Sequence, residues 1–178
     1  AVDRVVARCG AALHRGRMRN QPLAIEPAAG VSIEDWARRH RYRFLEAAAS
    51  RVRADWIAVA HHADDNLETI MMRVLQGSPG LHAIPVQRGR IIRPLLHVRR
   101  EEIRAYLLAH RLPSVSDPAN ADLRFVRNRI RRALPDMLAA VPGARLGLVA
   151  AAELGGAMWR DTVTSAQRVA PWTYVESG

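Results

Sequence analysis

Five apolar residues, Trp56-Ile57-Ala58-Val59-Ala60, constrain the fold more than any other stretch of this chain. They are too few for an ordinary helix, and they lack the polar alternation of a strand with one wet face. Such a run reads as a strand buried on both faces, the environment of a parallel sheet flanked by helices. The adjoining segment narrows the choice further. His61-His62-Ala63-Asp64-Asp65-Asn66-Leu67-Glu68-Thr69 leads at once into helical spacing through Ile70, Met71, Val74 and Leu75, and Gly77 supplies a stop.

The same alternation recurs along the chain. A helix is expected over 2–13 and a short strand over 23–27. Ser32 stands where an N-cap belongs, with Glu34 and Asp35 in the first turn of a helix reaching Val52. That helix places Ile33, Trp36, Ala37, Phe44 and Ala48 on one face. A flexible segment, 78–89, leads into a second strand over 91–96. A helix over 99–110 is expected to pack through Ile103, Tyr106 and Leu107. A turn-rich stretch, 116–122, precedes a very basic helix over 124–134, and a last amphipathic stretch runs to Val169. Strands alternating with helices argue an α/β fold with a mainly parallel sheet, whose ligands sit beyond the carboxyl ends of the strands. His61–Thr69 lies at that end of the best strand.

Charge narrows the partners. The 178 residues carry 27 basic side chains, every one arginine, against 17 carboxylates, a net charge of +10. Such a surplus attracts polyanions, nucleic acid first among them. The single Cys9 excludes an internal disulfide framework and any multi-cysteine metal or iron–sulfur site. No apolar run reaches the roughly 18–20 residues of a membrane span, and no signal pattern is present. The expectation is a soluble, cytoplasmic protein with no membrane partner.

The densest chemistry is at 61–69. Asp64 and Asp65 can offer carboxylate oxygens to Mg²⁺, which keeps several waters and often shares substrate phosphates. A histidine beside phosphate can donate a hydrogen bond or move a proton, and the helix start presents free N–H groups to an anion. In the plainer reading Asp64 caps the helix and Asp65 and Glu68 favour its dipole, although that leaves the paired histidines unexplained. Arg38 and Arg41 share a helical face suited to phosphate, or to a solvated face with a Glu34–Arg38 pair. Arg124, Arg127, Asn128 and Arg131 form one stripe with Arg129 and Arg132 beside it, preceded by Asp117, Asn120 and Asp122. This stripe predicts salt-sensitive phosphate binding, or internal pairing with those acids. Arg93, before Pro94, ends a strand at the same rim.

Together these residues resemble a known family. His61–Thr69 resembles the HHxDDxxET element of tRNA(Ile)-lysidine synthases. Glu34-Asp35-Trp36-Ala37-Arg38 with Arg41-Tyr42 resembles their ExxARxxRY helix, and Ile92-Arg93-Pro94-Leu95-Leu96 their RPLL strand. Asp117–Asp122 with Arg127-Asn128-Arg129-Ile130-Arg131 resembles their DPxNxD and RNRIR segment. Four elements in one order carry the resemblance across 30–142.

The resemblance implies a Rossmann-like domain of the PP-loop, adenine nucleotide alpha hydrolase type. It implies that ATP and Mg²⁺ adenylate C2 of the wobble cytidine in an isoleucine tRNA with a CAU anticodon. Free L-lysine then displaces AMP to give lysidine. By motif position, Asp64, Asp65 and His61 would be catalytic, with Asp64 and Asp65 toward the metal. Arg38, Arg41, His61 and His62 would meet the nucleotide. Arg93, Asp117, Asn120, Arg127, Asn128, Arg129 and Arg131 would face tRNA.

The chain also departs from the family. No Ser-Gly-Gly occurs, so the SGGxDS phosphate loop is absent, and Asn66 stands where glutamine is common. The expectation is an N-terminally truncated catalytic domain over 1–142, its sheet left with an open edge, followed by a helix and tail over 143–178. Dimerisation is left open. Two other readings stand beside the ligase: a noncatalytic RNA-binding remnant, and a metal-dependent phosphohydrolase using His61 and Asp65.

Overall fold

A computed structural model describes residues 33–78, 80–115 and 118–169. The helix expected over 2–13, the strand over 23–27, the Ser32 cap and Asp117 lie outside the described residues, as does the side chain of Glu34. Helix α1 (Ile33–Arg51) leads into β1 (Ile57–Ala58) and α2 (Ala63–Leu75). A hairpin of β2 (Gln87–Arg88) and β3 (Ile91–Ile92) comes next, then α3 (Arg100–Ala109) and a 3₁₀ turn, Pro118–Ala121. Two helices complete the described residues, α4 (Val126–Ala140) and α5 (Ala144–Val169).

The sheet has the order β1-β3-β2. β1 and β3 run parallel, with Ile57 opposite Ile91 and Ala58 opposite Ile92, and the ladder extends through Val59 N–H to the Ile92 carbonyl at 3.0 Å. This crossover through α2 is the βαβ unit that the sequence predicts. The hairpin begins inside the segment read as flexible. Gly89 takes φ +58 at the first central position of its two-residue turn, a conformation that glycine reaches without penalty and that matches strand twist. The expected burial of 56–60 on both faces is corrected in part. Ile57 is buried, but Trp56 and Ala58 are exposed, because the described elements cover only one face. Among the described residues, β1 also has a neighbour on one side only.

Three helices end in the same way. Gly77, Arg53 and Arg111 adopt left-handed φ of +61, +55 and +50. At each site the next residue's N–H closes back onto the last turn: Ser78 to Arg73, Ala54 to Ala49 and Leu112 to Leu107. These are Schellman closures, which satisfy the orphan carbonyls of a helix end. Two of them set arginine where glycine would be unstrained.

The core forms around α2. Leu67 and Met71, one turn apart, meet Ile130 and Leu134 of α4, with Met72, Leu138, Leu148 and Val149 packed around them. The basic helix runs beyond its expected end at Leu134, through Pro135 to Ala140. Proline removes one hydrogen bond, but Leu134 and Leu138, on either side of it, both pack into the core and hold the helix through that point. The expected start is corrected too, since Arg124 precedes α4 and grips Asp122 at 2.7 Å. α3 has no buried residue, and Tyr106 stacks on His110 instead of packing inward. No single described helix is long and apolar enough to cross a membrane.

Candidate active site

The start of α2 sets the geometry of the site. His62 is its N-cap: its Nδ1 accepts the Asp65 backbone N–H at 3.3 Å, while the Asp65 carboxylate accepts the His62 N–H at 3.0 Å. This reciprocal box satisfies two helix-end donors and fixes the exit from β1. It turns His61 toward a cleft of about 810 Å³ between α1, α2 and α4. Arg38, Arg41 and Tyr42 of α1 line the cleft, together with His61, Asp65, Thr69 and Arg73. Asn120, Phe125, Arg127, Asn128 and Arg131 complete it from the far side.

Beneath this cleft Glu68, only 1% exposed, gathers the arginines of α4. It accepts Arg131 Nε at 2.6 Å and Nη2 at 2.9 Å, one on each oxygen, and Arg127 Nε at 2.8 Å. Arg100 adds a longer contact at 3.4 Å. Arg127 also reaches Asp65 at 3.2 Å, and Arg131 donates to Asn120 at 2.9 Å. Burial pushes the Glu68 pKa up, but the hydrogen bonds from Arg131 and Arg127 outweigh it and hold the carboxyl below its ordinary range. The Arg131 guanidinium is raised in turn, chiefly by its bond to Glu68. Glu68 therefore stays ionised, and two guanidiniums are held rigidly at the cleft floor.

His61 differs in kind. Burial lowers its pKa, nearby Asp65 opposes this, and Arg93, Arg38 and Arg127 add to the lowering. It is a neutral imidazole at neutral pH, and among the described residues its buried Nδ1 has no hydrogen-bond partner. Such an atom in a cleft is a polar group waiting for a ligand or water.

Asp64 stands outside the cleft lining. Its carboxylate accepts the Arg100 backbone N–H at 2.8 Å and Arg145 Nη2 at 3.0 Å. Burial raises its pKa, but these two bonds more than offset that and hold it low. Asp64 thereby ties α2 to the starts of α3 and α5. The expected Asp64–Asp65 metal pair meets a chemical obstacle, since both carboxylates are already engaged by arginines. Among the described residues no three of His, Cys, Asp and Glu converge where they could hold a metal ion. The described side chains alone therefore do not fit a Mg²⁺ site.

Similarity to known proteins bears on this geometry directly. The PP-loop domain model matches residues 2–138. The chain belongs to the PP-loop domain family. It is 43% identical over 129 residues to a tRNA(Ile)-lysidine synthase of Geobacter sulfurreducens, covering 70% of this chain and 27% of that protein. It is 36% identical over 180 residues to the tRNA(Ile)-lysidine synthase of Ralstonia nicotianae, covering 96% and 38%. A tRNA(Ile)-lysidine synthase of Pseudomonas aeruginosa is 44% identical over 127 residues, covering 66% and 28%. The chain thus spans well under half the length of these relatives. Among solved structures, the U34-tRNA thiolase NcsA from Methanococcus maripaludis, with its [4Fe-4S] cluster, superposes with a TM-score of 0.65 at 14% identity. The match covers 83% of this chain and 52% of that one, and it shows a shared fold.

Within this PP-loop fold the residues singled out by sequence divide into two groups. Arg38, Arg41, His61, Asp65, Asn120, Arg127, Asn128 and Arg131 come together on the cleft. His62 is spent on the helix cap and Asp64 on an inter-helix tie. Arg93 is buried at 3% exposure with Nη1 on the Pro85 carbonyl, and Arg129 points to solvent from the opposite side of α4. Sequence reasoning gave Glu68 only a dipole role and overlooked Arg73. The signal for Glu68 was available: Asp65 and Glu68 lie three apart on one helix face, and Arg127 and Arg131 four apart on another.

Proposed function

We propose that this PP-loop domain is the nucleotide- and tRNA-handling part of a ligase joining free L-lysine to C2 of the wobble cytidine in an isoleucine tRNA with a CAU anticodon. The observation that carries the reading is the convergence, on one arginine-lined cleft, of side chains from the separate segments resembling lysidine synthases. Arg38 and Arg41 are the phosphate grips for ATP. Neutral His61 offers its Nδ1, without a partner among the described residues, for a hydrogen bond to the nucleotide. Arg127 and Arg131, locked by Glu68, present fixed positive charge to the adenylated tRNA. Such pre-organised charge stabilises developing negative charge without reorganisation during the reaction.

Asp65 is the one carboxylate among the described cleft-lining residues. It is suited to receive the lysine ammonium and to take a proton as the amine attacks C2 and AMP departs with the former C2 oxygen. Mg²⁺ would enter with the ATP phosphates. The metal-dependent phosphohydrolase reading accounts for His61 and Asp65 but not for the residues of the other segments that meet on the same cleft.

The test is AMP release from the chain supplied with ATP, Mg²⁺, lysine and the minor isoleucine tRNA. Release that requires both tRNA and lysine supports the ligase. Retention of tRNA with no AMP at any lysine concentration refutes catalysis by this chain and supports the RNA-binding reading.

A further inference from the structure

The positive charge of the cleft is unevenly matched. On the α4 side, Arg127 and Arg131 face two carboxylates, Asp65 and Glu68. On the α1 side, Arg38, Arg41 and Arg73 line the same cleft, and among the described residues no carboxylate pairs with any of them. Arg38 lies over the Tyr42 ring, 5.6 Å from its centroid. Arg73 approaches from α2, across from Arg38, and belongs to none of the residues proposed above for the ligase reaction.

The fold places Arg73 with care. One arm, Nη1, donates to the His82 carbonyl, leaving Nε and Nη2 for other partners. The segment bearing His82 is itself clamped onto α5. A side chain at Gly155 would fall 2.6 Å from the Leu81 carbonyl oxygen, and one at Gly156 would fall 3.0 Å from His82 Cβ. Gly80 lies flat against the Trp159 ring, where a Cβ would come within 2.8 Å. Close packing at three glycines thus fixes the carbonyl that fixes Arg73. The guanidinium is half-buried, and both burial and Arg38 lower its pKa. Three guanidiniums around one cavity, none with a carboxylate partner among the described residues, make a site suited to an anion with several charges.

We propose that Arg73 is the third arm, with Arg38 and Arg41, of a polyphosphate clamp at the α1 side of the cleft, binding the phosphate chain of a nucleoside triphosphate. The clamp rests on the nucleotide reading of the cleft, and it divides the cavity into a phosphate end and a compensated, tRNA-facing end. The unmatched end attracts the triphosphate, and the matched end, its charge largely balanced by Asp65 and Glu68, receives a single nucleotide of the tRNA.

The test uses the 178-residue chain and isothermal titration with inorganic tripolyphosphate, ATP and a short single-stranded RNA. Arg73→Met should weaken tripolyphosphate and ATP about tenfold, the loss expected for one charged hydrogen-bonding arm. It should also flatten the salt dependence of tripolyphosphate binding, which lost packing alone would not do. Arg73→Lys should recover part of that affinity, and Arg88→Met, an exposed arginine on β2 outside the cleft, should change nothing. Circular dichroism at the working temperature shows whether each variant is folded. If Arg73→Met is unfolded, a folded Arg73→Gln, which also removes the charge, decides the matter through its own weakening and shallower salt response. Unchanged tripolyphosphate affinity in a folded Arg73 variant, or weakening of RNA binding alone, overturns the clamp while leaving the nucleotide reading intact. A wild-type chain that binds neither ATP nor tripolyphosphate overturns both.

Discussion

Replacing Glu68 by glutamine preserves the shape of the side chain and removes the charge that organises two arginines. In the native site both carboxylate oxygens are used, by Arg131 at 2.6 and 2.9 Å and by Arg127 at 2.8 Å. Removing one partner of a fully buried ion pair costs about 3–5 kcal/mol. Here Glu68 is buried, but Arg127 and Arg131 keep 27% and 22% of their side-chain surface in water. They can recover part of their hydration, so the expected loss is smaller, about 2–3 kcal/mol at neutral pH. The sign of the pH dependence follows from the depressed Glu68 pKa. The stabilisation is complete above the ordinary value of 4.5 and is lost as pH falls through the lower folded value. Urea denaturation of wild type and Glu68→Gln, with equal slopes, should show this gap at pH ~7 and its shrinkage toward pH ~3. Adding Arg131→Met should expose strong non-additivity, since the pair acts as a unit. A gap below about 0.5 kcal/mol at neutral pH, or one equally large in acid, would refute the reasoning.

Other consequences are as direct. Arg53→Gly and Arg111→Gly each relieve a left-handed arginine at a helix end and should stabilise the chain by about 1 kcal/mol in denaturation midpoints; a loss of stability would contradict the Schellman reading. His61 should titrate by NMR with a midpoint below 6.5, and its burial should cost stability as pH falls from 6.5 toward that lower value; a midpoint above 6.5 would show that Asp65 outweighs burial. Leu67→Ala, at a fully buried position in the α2–α4–α5 core, should cost about 3 kcal/mol, and a loss under about 1 kcal/mol would mean that the core closes elsewhere.

Much of the fold is legible in local patterns. The strand-to-helix switch at 60–63, the stop at Gly77 and the long last helix all follow from periodicity and breakers. The hairpin at 87–92 is hidden because its strands are two residues each, too short for any alternation to register. Pro135 misplaces the end of α4, since a local rule against proline is overridden by the contacts of Leu134 and Leu138. The site shows the same division. Motif spacing collects His61, Asp65, Arg127 and Arg131, but it cannot say which of two adjacent acids faces the cleft. That choice is made by Arg145 and the Arg100 amide, from elements far along the chain, which draw Asp64 away. Glu68 looks like one more acid in a helix until tertiary structure brings arginines onto it from α4.

The proposed function is lysine transfer onto tRNA at this cleft, with Asp65 acting in the chemistry and not in tRNA affinity. The decisive measurement is mass spectrometry of the wobble nucleoside after reaction of isoleucine tRNA with ATP, Mg²⁺ and lysine, comparing wild type with Asp65→Asn and measuring tRNA affinity in parallel. Lysidine with wild type, none with the variant, and equal tRNA affinity is the predicted result. Unmodified cytidine on tRNA that wild type still binds, or lysidine formed at the same rate by Asp65→Asn, would contradict it.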